Sequence, residues 1–146
     1  MGQIQKQLFF KARLEKVWQI WTDVENTPEW VEGVSESTIT SSVRSGRGLG
    51  WQEKCLVDER VVQMDHEMIE WEEGKKTKIR TGLPMGGSIN REVEFKETKE
   101  GTEVNVCLEW DLGMIGAFVQ EERVQRIMEK GFDRSAVRWK EKAEKN

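Results

Sequence analysis

Tyrosine does not occur in this chain, and histidine occurs once, as His66. With no phenol and a single imidazole, general acid–base chemistry falls to His66, to Glu53 or to a bound water. Cysteine is almost as scarce. Cys55 and Cys107 sit in strand-like runs without CxxC or zinc spacing, so they read as small apolar side chains of a reducing compartment. No stretch approaches the roughly 18 apolar residues of a membrane span. The start MGQIQKQLFF has neither a basic leader before a long apolar run nor a cleavage signature. Lys6 stands where a myristoylation signal needs Ser or Thr. These absences predict a cytoplasmic protein with no integral membrane segment. A dominant charge is lacking too: 27 acids against 23 bases leave a net −4, with the signs interspersed, which argues against nucleic-acid or anionic-membrane binding. Locally the balance tips. Residues 53–73 carry eight acids and two bases, and residues 134–145 five bases and two acids, the second suiting a helix C-terminus.

What is present is an amphipathic, sheet-rich pattern. The 146 residues suffice for one domain, 1–146, that buries roughly two-thirds of its unfolded surface. Gln3 to Phe10 reads as a first strand. Leu14, Val17, Trp18 and Trp21 follow with the spacing of a short helix. Thr27 before Pro28 signals a second short helix, with the hydroxyl as cap and proline at the first position. Six further strands are expected: Ser35 to Val43, Trp51 to Val57, a run after Asp58 and Glu59 to Glu72, Lys76 to Leu83, Ser88 to Lys96, and Thr102 to Trp110. Glycine-bearing turns join them. From about Phe118 to Lys145, Val124, Ile127, Met128, Phe132, Ala136, Trp139 and Ala143 mark one face of a long helix, about 40 Å at roughly 1.5 Å per residue. Such a stripe needs burial against the sheet. The class is therefore α+β, a curved seven-stranded antiparallel sheet gripping a C-terminal helix. Gly131 interrupts that helix at a cost of about 1 kcal/mol relative to alanine. It marks either a bend or a tight helix-to-sheet approach, or else extra room above a cavity or a hinge that admits a bound molecule.

Three chemical signatures fall short. HEMIE, His66 to Glu70, resembles the zincin motif, but Glu70 replaces the second histidine, and on a strand the two would share a face roughly 13 Å apart. Gly46, Gly48 and Gly50 precede a strand rather than a helix N-terminus, so they read as a hairpin turn and not a phosphate loop. A Ser-His-Asp triad has no serine in a nucleophile-elbow context. No metal or cofactor is expected.

Strand parity is more informative. Val104, Val106, Leu108 and Trp110 share one face of the last strand, so that face points to the core. The same alternation turns Arg91 inward with Ile89, Val93 and Phe95, turns Glu53 inward with Trp51 and Cys55, and turns His66 inward with Met64 and Met68. Ile69 and Trp71 fall out of phase with Met68 and signal a bulge. Trp51, Met64, Met68, Trp110, Met128, Phe132 and Trp139 are the apolar side chains expected around a bound molecule, since indole and thioether suit flat apolar ligands. Arg91, with Glu53 or His66, is expected to form a polar cluster among them.

The segment FFKARLEKVWQIWTDVENTPEWVEGV, with Asp23, Pro28 and Trp30, the Gly101-Thr102 pair before the last strand and the terminal helix resemble the START-like (SRPBCC) superfamily. That superfamily includes polyketide cyclases, birch-pollen-allergen-like proteins and lipid-transfer domains. The resemblance spans the chain and implies a helix-grip fold around a cavity for a hydrophobic small molecule such as a lipid, quinone or polyketide-like aromatic. It equally admits a cyclase- or dehydratase-like enzyme using Glu53, His66 and Arg91, or a chaperone-activator-like interaction module. The enzyme needs those three groups within hydrogen-bond reach, and the module needs a filled core with an exposed apolar patch.

Overall fold

The computed structural model describes residues 2–57 and 59–145. Seven antiparallel strands form one sheet: β1 (Gly2–Phe10), β2 (Val34–Ile39), β3 (Gly50–Val57), β4 (Arg60–Glu72), β5 (Lys76–Gly82), β6 (Ser88–Glu97) and β7 (Thr102–Asp111), in spatial order β1-β7-β6-β5-β4-β3-β2. Strands β2 to β7 follow one another as a meander, while β1 closes onto β7 from Gly2↔Trp110 to Phe10↔Thr102. The chain crosses from one sheet edge to the other through α1 (Leu14–Thr22) and a 3₁₀ turn at Val24–Glu29. It ends in α2 (Glu121–Glu144), which lies across β1 and α1.

Period-two patterning accounts for the sheet. Thr102, Val104, Val106, Leu108 and Trp110 are all buried along β7, as are Ile89, Val93 and Phe95 along β6. A register shift between Met68 and Glu70 marks the bulge that the out-of-phase Ile69 and Trp71 foretell. It carries a correction. Beyond it Glu70 is exposed and pairs with Lys76 at 3.4 Å, so His66 and Glu70 do not share a face. Gly101, at φ 156°, precedes β7 because its Cβ position lies only 2.1 Å from the carbonyl oxygen of Phe10. Thr102 then ties the strand to the turn after β1, its Oγ1 donating to the Ala12 carbonyl at 2.9 Å.

Several boundaries differ from the sequence pattern. Strand β2 stops at Ile39, short of Val43. Thr27 caps nothing: it lies inside the 3₁₀ turn with Pro28 and donates to the Val24 carbonyl at 2.6 Å. Helix α2 starts at Glu121 rather than Phe118 because Gly113–Ala117 forms a separate 3₁₀ turn. That turn is pinned by Gly113, at φ 60°, whose Cβ position would fall 2.8 Å from the backbone of Gly86 and Gly87. Asp58, expected in the β3–β4 turn, lies outside the described residues. No described helix is long and apolar enough to cross a membrane.

The core is strongly aromatic. Trp139 of α2 is fully buried against Phe10 at 4.8 Å and against Trp21 and Trp30 at 5.2 Å each, centroid to centroid. Such pairs add about 0.5–1.5 kcal/mol each beyond area burial. This cluster locks the second half of α2 to the sheet and to α1. The stripe closer to its N-terminus, Ile127, Met128 and Phe132, instead faces open volume.

Candidate functional site

Between the concave face of the sheet, the segment after α1, and α2 lies a cavity of about 230 Å³. An engineered cavity of about 150 Å³ accepts one benzene ring, so this volume exceeds a single ring. Strands β3 and β4 line it with Trp51, Glu53, Cys55 and Met64, strand β6 with Ile89 and Arg91, and α2 with Met128, Gly131, Phe132 and Trp139. Gly131 decides part of that volume. A Cβ there would meet nothing within 4 Å, which rules out a tight helix-to-sheet approach as the reason for the glycine.

Three side chains expected around a bound molecule lie elsewhere. Trp110 is buried beside Gly2, whose Cβ position falls 2.0 Å from the indole, so it sits beneath the β1 edge and away from the cavity. Met68 packs, fully buried, with Val24, Leu49 and Ile79 next to the bulge. His66 stands one layer behind Glu53.

The polar groups form a continuous relay. Trp51 and His66 are cross-strand partners, as are His66 and Thr81. Glu53 and Arg91 sit on the diagonals, opposite Met64 and Ile79 respectively, within reach of long side chains. The contacts are His66 Nε2 to Glu53 Oε1 at 2.8 Å, Thr81 Oγ1 to His66 Nδ1 at 2.6 Å, Arg91 to Thr81 Oγ1 at 3.4 Å, and Trp51 Nε1 to Glu53 Oε2 at 3.2 Å. Trp51 also stacks on His66 with centroids 5.1 Å apart.

Donor and acceptor chemistry assigns each proton. A guanidinium only donates, so the Thr81 oxygen accepts from Arg91. The ionised Glu53 carboxylate only accepts, so Nε2 carries its proton, and with His66 neutral, as burial favours, Nδ1 accepts from the Thr81 hydroxyl. Within the expected cluster of Arg91 with Glu53 or His66, the arginine hydrogen-bonds Thr81 and acts on Glu53 through its field. Thr81 is the member that ionisable-residue reasoning overlooks. The buried alternation Thr77, Ile79, Thr81 in β5 is the signal that places it.

Burial alone would raise the Glu53 carboxyl, but the hydrogen bond from His66, the charge that His66 carries once protonated, the charge of Arg91 and the Trp51 indole together hold it below its ordinary value. Burial lowers His66, assisted by the Arg91 charge, against the hydrogen bond it donates to Glu53 and the charges of Glu53 and Asp65. Burial, then the charge of Glu53, pushes the Cys55 thiol up to about 11, so it stays protonated. Among the described residues no group of three or more His, Cys, Asp or Glu side chains is placed to hold a metal ion.

A pH dependence follows. His66 in the folded protein binds a proton less readily than an ordinary imidazole near 6.5, so below that pH the unfolded chain binds more protons and stability falls. Glu53, also lowered from 4.5, adds a further loss at lower pH. The thermal midpoint is expected to drop steadily from pH 7 to 5, and to drop less over that range in His66→Gln. A flat midpoint in the parent would contradict the buried neutral imidazole.

Residues 1–144 match the family model described as "Polyketide cyclase / dehydrase and lipid transport". No curated protein matches the sequence. Among solved structures the chain is similar to a START superfamily protein from Mycobacterium smegmatis, at 12% identity and TM-score 0.81 over 97% of both chains. It is similar to Ara h 8.0201 at 10% identity and TM-score 0.80 over 99% of both. A third similar structure is the di-domain ARO/CYC BexL from the BE-7585A biosynthetic pathway, at 14% identity and TM-score 0.81, over 99% of this chain and 50% of that one. At these identities the likeness carries the helix-grip fold alone.

Proposed function

Since this chain belongs to the polyketide cyclase/dehydrase and lipid transport family, we propose that it binds and carries a hydrophobic small molecule, a lipid, quinone or polyketide-like aromatic, between sheet and C-terminal helix. The observation that supports this reading is the cavity of about 230 Å³, a volume that a protein interior packed at ordinary density would fill with side chains. In this reading Trp51, Met64, Met128, Phe132 and Trp139 supply apolar contact, Glu53 and Arg91 the polar end, and His66 holds Glu53 from behind. An interaction module of the chaperone-activator kind would instead want that space filled.

A cyclase- or dehydratase-like activity would draw on the same polar groups, and the proton arrangement favours binding over it. The basic nitrogen of His66 accepts from Thr81, its other nitrogen donates to Glu53, and the imidazole does not line the cavity. A general base must reach its proton within about 3.2 Å or through one water. His66 does not meet that condition, and Glu53 is held as a weak base.

Trp21, Trp30, Trp51 and Trp139 border the cavity, so occupancy should be visible in tryptophan emission. Titration with 2-ethylnaphthalene is expected to alter that emission saturably, with Kd on the order of 1 to 100 μM, about −8 to −5.5 kcal/mol. Mass spectrometry of organic extracts of the purified protein is expected to find a stoichiometric apolar compound. No saturable titration together with an empty extract would overturn the reading.

A further inference from the structure

We infer, resting on the binding reading above, that the cavity's occupant carries an uncharged hydrogen-bond acceptor, a ketone, quinone or ester carbonyl on an apolar frame, seated on the guanidinium of Arg91. The guanidinium has five N–H donors and no way to lose its charge. Among the described residues it makes one hydrogen bond, the 3.4 Å contact to Thr81. Arg91 is half-buried and lines the cavity, so its remaining donors face the volume a ligand would fill. Donors desolvated by an apolar molecule must find acceptors, or the group costs several kcal/mol.

The rest of the relay determines what that acceptor is. The Thr81 hydroxyl proton is committed to His66, and each oxygen of Glu53 already holds a donor. The vacant donor capacity at this end of the cavity is therefore that of Arg91. Charge sets the second condition. Glu53 and Arg91 carry opposite charges that act on each other, with His66 neutral between them, so the site is balanced before a ligand enters. A carboxylate at Arg91 would leave a net negative charge beside Glu53 in a low-dielectric pocket, where like charges repel strongly. A carbonyl meets the donors and preserves the balance. The volume suits a frame of about two fused rings.

Three probes with one frame separate these terms by isothermal titration calorimetry at pH 7.5: 2-acetylnaphthalene, 2-ethylnaphthalene and naphthalene-2-carboxylate. The ketone is expected to bind the parent about 10- to 150-fold tighter than the ethyl compound, the worth of a hydrogen bond to a charged group, and tighter than the carboxylate. Arg91→Leu is expected to erase the ketone's advantage over the ethyl compound. Arg91→Lys, which keeps the charge but replaces the planar fork with a point donor, should retain part of it, and it serves as the test if Arg91→Leu does not fold. Equal binding of ketone and ethyl compound by the parent, or tighter binding of the carboxylate, overturns this inference while leaving the cavity reading intact. An advantage that survives in both variants also overturns it. Failure of all three probes to bind overturns this inference and, together with an empty organic extract, removes the cavity reading itself.

Discussion

Gly131→Phe is expected to cut the affinity for 2-ethylnaphthalene by about 5- to 150-fold, whereas Gly131→Ala is expected to raise the thermal midpoint by about 3 °C. Both results follow from one geometry. Gly131 lies within the 24-residue helix α2, outside the set of left-handed glycines, and a Cβ there meets nothing within 4 Å. Neither backbone conformation nor close packing requires glycine. Its interior cost of about 1 kcal/mol is therefore recovered by alanine, and for a domain near 150 residues that shifts the midpoint by roughly 2–4 °C. A benzyl group at the same position enters the cavity. Its ring takes space like the benzene that fills an engineered cavity of about 150 Å³, leaving well under half of the 230 Å³. Forcing a two-ring probe past it incurs overpacking of about 1–3 kcal/mol or more. Circular dichroism checks that the variant folds, and calorimetry reads the affinity. If Gly131→Phe folds and binds the probe like the parent, the ligand site lies elsewhere.

Glu53→Leu is expected to lower the unfolding free energy by about 3–5 kcal/mol, the range for removing one partner of a buried charge pair. Glu53 is 7% exposed, accepts from His66 at 2.8 Å and from Trp51 at 3.2 Å, and is the anion whose field supports the charge of Arg91. Its loss leaves the half-buried Arg91 cation without its balancing charge and two donors without their acceptor. The double variant Glu53→Leu with Arg91→Leu removes the cation too, so part of the loss returns, and the residue is the cost of the His66 and Trp51 donors, about 1–3 kcal/mol each at most. Urea unfolding of the two single variants and the double gives the coupling directly. A favourable interaction of about 1 kcal/mol or more between the two sites is expected for groups sharing one network. Strict additivity would mean that Arg91 and Glu53 do not sense each other across the relay.

Much of this arrangement is legible in the chain itself. Alternation of apolar and polar residues decided the inward face of β3, β4, β6 and β7, including the inward turn of Glu53, His66 and Arg91, and the phase slip at Ile69 announced the bulge. The i, i+3, i+4 stripe from Val124 to Ala143 identified the helix that the sheet grips. Those features are local: they depend on the period of a strand or helix and on solvent at one face. Which inward groups touch is not local. Sliding β4 by two residues along β5 would preserve every inward face yet separate His66 from Thr81, because parity constrains register only modulo two. The tertiary pairing placed Trp51, His66 and Thr81 side by side across three strands and left Glu53 and Arg91 on the diagonals. It also moved Trp110 and Met68 away from the cavity, since residues on one face share that face along its whole length while the cavity occupies only part of it. The empty volume itself is a product of sheet curvature and of where Trp139 anchors α2. Side-chain pattern along the chain determines what faces inward, and the distance between helix and sheet determines how much of that inner face stays unfilled.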